Sequence, residues 1–186
     1  GASNITAGSF TSTDGFASNA TSVVSMTSLP DLEVSHAYAP SAAANVFEAV
    51  VTITNNSAAT MTDIRYTRAM DWDIFPDEFS EFVTIVGTGT TTDLLFSSDD
   101  GFATGDPFGF RGSDLGSCGL TTDFTDCGPN DHGALFDFGF GDLAAGESIT
   151  FSIFYGAAAD EAGALGALGT IGAELYSLGQ WEGDPA

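Results

Sequence analysis

The chain has 186 residues, of which 43% are hydrophobic and 16 are Phe, so it can fold around a core rather than remain a disordered acidic tail. It carries 26 acidic residues against three Arg and no Lys, a formal net charge of -23 at pH 7. That charge repels phosphate backbones and anionic lipid surfaces, which argues against nucleic acid as a partner, and no apolar run reaches the roughly 18 residues of a membrane span.

Residues 1–29 form the first predicted segment, a flexible arm dominated by Gly, Ala, Ser, Thr and Asn. Its apolar anchors are Phe10, Phe16, Val24 and Met26. Residues 21–29 alternate in part, which favours a strand that pairs with a sheet edge. The edge belongs either to the same subunit or, if the strand acts as a donor, to a neighbouring one.

Residues 30–186 form the second predicted segment, in which strand signals recur at short intervals. Val/Ile/Thr-rich or alternating stretches separated by turns predict an all-β fold, an antiparallel β-sandwich with an extended N-terminal arm. The predicted strands lie at residues 32–39, 45–55, 62–72, 81–87, 91–97, 134–141, 147–155 and 174–181. A long acidic and glycine-rich loop is predicted from about residue 97 to residue 133.

One segment departs from the strand pattern and predicts a single short peripheral helix near residues 157–172. Leu165, Leu168, Ile171 and Leu175 recur at helical spacing. The acidic residues Asp160 and Glu161 suit the N-terminal turn of such a helix.

The two cysteines, Cys118 and Cys127, lie in one Gly- and Asp-rich loop and predict a local disulfide in an exported protein. A thiolate metal site is less favoured, because it needs further soft ligands. We expect His36 to be partly buried in a strand, and His132, which follows Asp131, to donate to a loop carbonyl or pair with an Asp. The start, GASNITAGSF, is typical of a processed mature chain.

The sequence predicts no enzyme, since it lacks the common nucleophile, zinc-protease and phosphate-loop motifs and has no Lys for a Schiff base. Asp71 and Asp73 share a strand face and form the candidate carboxylate pair of a glycosidase. The favoured interpretation is that Arg65 and Arg68 neutralise them at a strand end. Pro76 ends the extended run, and the core is expected to receive Phe75, Phe79 and Phe82.

Several acidic loops offer the oxygen ligands that Ca²⁺ prefers, which makes Ca²⁺ the candidate cofactor. None matches the calcium-loop pattern of an EF-hand, so solvated acidic loops remain the alternative. The candidate ligands are Asp71, Asp73, Asp77, Asp99, Asp100 and Asp106, and a further acidic loop holds Asp123, Asp126 and Asp131. Asn4, Asn19 and Asn55 each begin an N-x-S/T sequon and are candidate glycosylation sites.

Three stretches of the sequence are similar to those of a known protein family: RYTRAMDWDIFPDEFSEFVTI, GPNDHGALFDFGFGDLAAGESITFSIFYGAA and ALGTIGAELYSLGQ. From about Leu32 to Gln180 the chain resembles exported bacterial proteins that commonly end in a PEP-type sorting signal processed by an exosortase. The resemblance implies secretion to the cell surface or an extracellular matrix, and it implies no activity and no catalytic residues. The Pro-Glu-Pro tail of that family does not follow QWEGDPA here.

Together these observations predict a secreted structural or adhesive protein of the cell surface or matrix. Its expected partner is a second copy of itself. The more specific hypothesis is that the protein is a filament subunit that assembles by N-terminal strand exchange. The alternative is a calcium-dependent carbohydrate-binding module with a polysaccharide partner.

Overall fold

A computed structural model describes residues 4–13, 19–76, 78–111 and 114–181. Within these residues the chain is all-β with one short helix, as predicted. The elements in chain order are β1 (Ile5–Ser12), β2 (Ala20–Met26), β3 (Leu32–Pro40), β4 (Val46–Asn55), β5 (Met61–Asp71), β6 (Glu81–Val86), β7 (Leu94–Ser98), β8 (Phe124–Asn130), β9 (Gly133–Leu143), β10 (Ser148–Gly156), α1 (Glu161–Ile171) and β11 (Tyr176–Gln180).

The chain divides into two compact units. Unit 1 comprises the described parts of residues 1–64 and 141–172, and unit 2 comprises those of residues 65–140 and 173–186. The described part of the predicted arm therefore belongs to unit 1.

Unit 1 is built on a five-stranded antiparallel sheet with the order β1-β2-β3-β4-β10. Side chains alternate between the two faces of a strand, and on β4 one face is buried. Ala49, Val51 and Ile53 form that buried face. Leu32 on β3 and Leu143 on β9 are also buried core residues of this unit. On this sheet, the buried core residues of unit 1 thus lie on β3 and β4.

The N-terminal segment is a hairpin of this sheet. β1 pairs with β2 from Ile5 opposite Met26 to Ser12 opposite Ala20, with one bulge at Gly8, and β2 pairs with β3. At the open end of the hairpin, the Asn4 side chain accepts a hydrogen bond from the Ser28 backbone N–H. Pairing within the same chain is therefore the arrangement of this subunit. Val24 and Met26 lie half-buried on β2, Phe10 is exposed on β1, and Phe16 lies outside the described residues.

The helix α1 begins beside Asp160, which the sequence analysis placed in the N-terminal turn, and it is capped at both ends. The Asp160 carboxylate accepts a hydrogen bond from the Gly163 backbone N–H at 2.8 Å, and Gly172 ends the helix with a φ of 67°. The apolar stripe is covered less than predicted, because no residue of α1 is buried and Leu165 is exposed. Leu175 lies beyond the helix and packs in the core of unit 2.

Unit 2 is a small sandwich of two three-stranded sheets, with the orders β5-β9-β7 and β11-β6-β8. Ile85 of β6 meets Ala134 and Phe136 of β9 in its core, and Phe124 of β8 packs against them. β8 was not predicted, because its sequence FTDCGPN lacks alternation and contains Gly and Pro. As an outermost strand it tolerates Pro129, which cannot donate a hydrogen bond to a neighbour.

The prediction that Phe75 and Phe79 reach the core is wrong. Their relative exposures are 81% and 72%, and Phe82 is only half-buried. β5 ends at Asp71, so the alternation of a strand no longer fixes the direction of Phe75 and Phe79. On β6 the buried positions include Val83 and Ile85, which leaves Phe82 on the other face.

Candidate functional site

A buried pair of a carboxylate and an imidazole lies in the loops of unit 2. Asp99 follows β7 and His132 precedes β9, and both side chains have a relative exposure of 0%. The Asp99 Oδ2 atom lies 3.0 Å from the His132 Nδ1 atom. The backbone N–H groups of Leu115 and Gly116 donate to the two Asp99 oxygens, at 2.9 Å and 2.7 Å. Burial by itself raises the pKa of Asp99, but the interaction with His132 and the hydrogen bonds from Gly116 and Leu115 outweigh it and hold the pKa below its ordinary value.

The predicted disulfide between Cys118 and Cys127 is confirmed, and it lies beside this pair. The Cys118 Sγ atom is 3.3 Å from the Asp99 Oδ2 atom. The ligand atoms of Cys118, Cys127 and His132 all lie within 4.8 Å of one another. His132 is paired with an Asp, and the partner is Asp99 of a distant loop, not the adjacent Asp131. Its imidazole also adjoins the two sulfur atoms, which the sequence analysis did not expect.

The Asp71 and Asp73 side chains are exposed near the end of β5. Burial and the charges of Asp73 and Asp131 raise the pKa of Asp71, so repulsion among acids is part of its environment. Arg65, which was expected to neutralise these acids, places its guanidinium 4.5 Å from the centre of the Phe108 ring.

The other predicted calcium ligands serve local turns. The Asp100 side chain is buried and accepts a hydrogen bond from the Phe102 N–H, and the exposed Asp106 does the same for the Phe108 N–H. Asp77 lies outside the described residues. Among the described residues, two groups of potential ligands come within 4.8 Å of one another: Cys118, Cys127 and His132, and Asp99, Asp114 and Cys118. Of the predicted calcium ligands that the structure describes, Asp99 alone belongs to one of these groups.

A second charged network fixes the loop before β8. The Arg111 guanidinium donates to the Asp137 carboxylate, with Nη2 3.0 Å from Oδ1, and also to the Asp106 carbonyl at 2.8 Å. The hydrogen bonds that Arg111 donates to Asp137 raise the pKa of Arg111. An adjoining cavity of about 10 Å³, lined by Asp100, Arg111 and Leu135 among others, has room for about one water molecule. This arrangement ties the loop that carries Arg111 to β9.

The three sequons differ in accessibility. Asn55 is fully buried, and its Nδ2 atom donates to the carbonyls of Ala59, Leu143 and Ala144. A glycan on that nitrogen would remove these bonds and has no space in the fold, which corrects the sequon-based expectation for Asn55. Asn4 and Asn19 are exposed.

The two outermost strands of the five-stranded sheet form a further candidate site. All eight residues of β1 are exposed, and Phe10 has a relative exposure of 68%. β10 is the outermost strand on the other side. The sequence near both strands is nearly free of charge: residues 1–30 contain one acid, Asp14, and residues 148–159 contain none, in a chain with 26 acids.

Comparison with protein-family models, curated proteins and solved structures gave no match for this chain. Within the described residues, no helix combines the length and the apolar character that crossing a membrane requires. The inference of function therefore starts from the arrangement of the residues.

Proposed function

We propose that this protein is a self-associating structural protein of the cell surface or extracellular matrix, whose copies join through the edges of the five-stranded sheet. The observation that carries the proposal is the pair of neutral outermost strands, β1 and β10, in a chain of net charge -23. Unpaired backbone N–H and C=O groups along an outermost strand favour addition of a strand from another chain.

Charge supports this choice of surface. Copies of so acidic a protein repel each other, and the repulsion is weakest where neutral segments meet. β1 contains no charged residue and no Pro, which are common means of blocking a sheet edge, and its one irregularity is the bulge at Gly8.

The topology supports an open assembly. Four successive antiparallel pairings separate β1 from β10, so the two strands run in the same direction. Addition of β1 of one copy to β10 of the next would then be head-to-tail, and such a contact continues into a filament unless rotation closes it into a ring. Because β1 and β2 are already paired within the subunit, we propose edge addition in place of the predicted strand exchange.

The disulfide between Cys118 and Cys127 supports an extracellular location, since such bonds form and persist in oxidising compartments. The resemblance to exported bacterial proteins points in the same direction.

The test uses one lysine on each edge and a matched lysine elsewhere. Ser9→Lys places a charge on β1, Ser152→Lys places one on β10, and Thr92→Lys adds the same charge at an exposed position in unit 2. Sedimentation velocity in high salt should give oligomers for the wild type and for Thr92→Lys, and monomers for each edge variant alone.

An equimolar mixture of Ser9→Lys and Ser152→Lys should form a one-to-one dimer, because each variant keeps the edge that the other lacks. A wild type that stays monomeric at all salt and protein concentrations contradicts the proposal. A dimer of Ser152→Lys alone would replace the head-to-tail contact by a symmetric contact between two β1 strands.

A second candidate is the calcium-dependent carbohydrate-binding module. The observation that favours it is a set of exposed aromatic rings on the acidic loops of unit 2, and an aromatic face can pack against a sugar ring. The exposed rings are Phe75, Phe79, Phe102, Phe108 and Phe110. Polysaccharide binding that is lost in Phe110→Ala and reversed by chelation would support this function over the first.

A further inference from the structure

Several side chains that can bind a metal ion lie close to the disulfide. Cys118 lies in the loop before β8, Cys127 lies on β8, and His132 lies just before β9. Their two sulfur atoms and an imidazole nitrogen come within 4.8 Å of one another. Two sulfurs and an imidazole are the donor atoms that Zn²⁺ prefers when the sulfurs are thiolates.

The imidazole is oriented as in a metal site. The Asp99 Oδ2 atom lies 3.0 Å from Nδ1, at ion-pair distance but without hydrogen-bond geometry, and Nε2 is buried with no hydrogen-bond partner. A buried polar nitrogen without a partner is uncommon and calls for an explanation. Carboxylates beside zinc-binding histidines commonly accept a hydrogen bond from Nδ1–H, and Asp99 is close enough to take that role and leave Nε2 to the metal.

Nε2 and a sulfur atom both pack against Gly116. A Cβ atom placed on Gly116 would lie 3.1 Å from the His132 Nε2 atom and 2.9 Å from the Cys118 Sγ atom. The same Cβ atom would come closer still to the His132 Cε1 atom, so only a glycine at this position lets the imidazole and the sulfur pack so closely against the backbone. The Asp114 carboxylate is also near the sulfur, since its ligand atom lies within 4.8 Å of those of Asp99 and Cys118.

We propose that, when the disulfide is reduced, Cys118, Cys127 and His132 bind Zn²⁺, and that Asp99 orients the imidazole. A water molecule or the Asp114 carboxylate takes the fourth tetrahedral position. The proposal is independent of the assembly function, which rests on unit 1.

The site forms in two steps, reduction of the disulfide and binding of Zn²⁺. A dithiol reductant transfers two electrons to the S–S bond, which breaks to give two cysteine thiols, while the dithiol becomes a disulfide. Zn²⁺ then displaces the two thiol protons to solvent, and each sulfur donates an electron pair to the metal. The sulfur atoms must separate from bonding distance to about 3.8 Å, as tetrahedral Zn–S bonds of about 2.3 Å require.

The two states exclude each other, because a disulfide offers no thiolate. Either state ties the loop that carries Cys118 to the strand that carries Cys127. The site would thus exchange one cross-link for another when the protein passes between a reducing and an oxidising compartment.

The experiment titrates Co²⁺, a spectroscopic substitute for Zn²⁺, into full-length protein reduced with a phosphine under anaerobic conditions. The expected result is a thiolate-to-cobalt charge-transfer band that saturates at one equivalent and disappears on addition of Zn²⁺. The oxidised protein should show no such band. Reduced protein without the band would overturn the proposal.

His132→Gln tests the imidazole, and His36→Gln, on β3 of unit 1, is the matched control. His132→Gln should weaken Co²⁺ binding by at least about tenfold, and His36→Gln should leave it unchanged. Equal affinities of wild type and His132→Gln would refute the assignment.

If His132→Gln does not fold, X-ray absorption at the zinc edge of the reduced wild type with bound Zn²⁺ tests whether an imidazole is a ligand. A shell of two sulfur atoms and at least one imidazole supports the site. A shell of oxygen only, or one without imidazole, sinks it.

Discussion

At the scale of single residues, Glu81 is the buried acid with the clearest consequence for stability. It faces inward from β6 with a relative exposure of 0%, and its Oε1 atom has no hydrogen-bond partner. Burial raises its pKa, while backbone hydrogen bonds, including one from the His132 N–H, offset only part of that effect. Asp131 adds repulsion in the same direction.

Because the pKa of Glu81 is raised, we expect the Glu81→Gln substitution to stabilise the fold by an amount that depends on pH. A raised folded-state pKa stabilises the fold fully below the unfolded pKa of about 4.3, and that contribution is lost as pH rises through the folded pKa. The variant should therefore melt several degrees above the wild type at pH 7, a rise of about 2–4 °C for each 1 kcal/mol, and nearly level with it at pH 4. Calorimetry across this range is the measurement.

Glu33→Gln is the matched control, because Glu33 is exposed on β3. It should leave the pH dependence of the melting temperature unchanged. A constant difference between Glu81→Gln and the wild type at every pH would show that the charge of Glu81 has no part in the effect.

At the scale of elements, the hairpin of β1 and β2 adds two strands to the sheet but no residue to the buried core. None of the fully buried hydrophobic residues lies in residues 4–13 or 19–29, and all of β1 is exposed. β3 ends in Pro40 and carries Glu33, so it would become an edge that disfavours pairing with another chain.

Deletion of residues 1–29 should therefore leave a folded monomer whose melting temperature falls by only a few degrees. It should also abolish oligomers, because the β1 edge is gone. Circular dichroism and sedimentation of the truncated chain measure the two effects. An unfolded product, or oligomers of unchanged size, would each contradict this role of the hairpin.

At the scale of the whole molecule, the charge of -23 destabilises the compact state through self-repulsion. Raising the salt concentration from 0.01 M to 1 M shortens the screening length from about 30 Å to about 3 Å. The melting temperature should therefore rise steadily with NaCl concentration, and oligomer size should rise over the same range.

A comparison of cations separates general screening from a specific calcium site. At matched ionic strength, CaCl₂ should raise the melting temperature further than MgCl₂ if the predicted aspartates hold Ca²⁺, because Mg²⁺ retains its waters and binds such loops poorly. Equal effects of the two salts would mean that the charges are only screened.

Much of the fold follows from local patterns. Alternation on β4, the turn-rich spacing of the later strands, and the helical spacing of Leu and Ile after Asp160 all depend on residues close in sequence, and they led to the right elements. The same rule misplaced Phe75 and Phe79, because it applies only within a strand and β5 ends before them. β8 was missed because an outermost strand with shifts in register lacks a regular pattern.

By itself, then, the sequence determined the all-β class, the helix, the acidic character and the disulfide, since each depends on composition or on neighbouring residues. Only the tertiary structure decided that His132 lies against the two sulfurs with Asp99 behind it, and that β1 and β10 lie at opposite sides of one sheet. The physical reason is that closing a long loop costs nearly the same entropy for many partners, so the choice among distant partners is made by the packing of the whole chain.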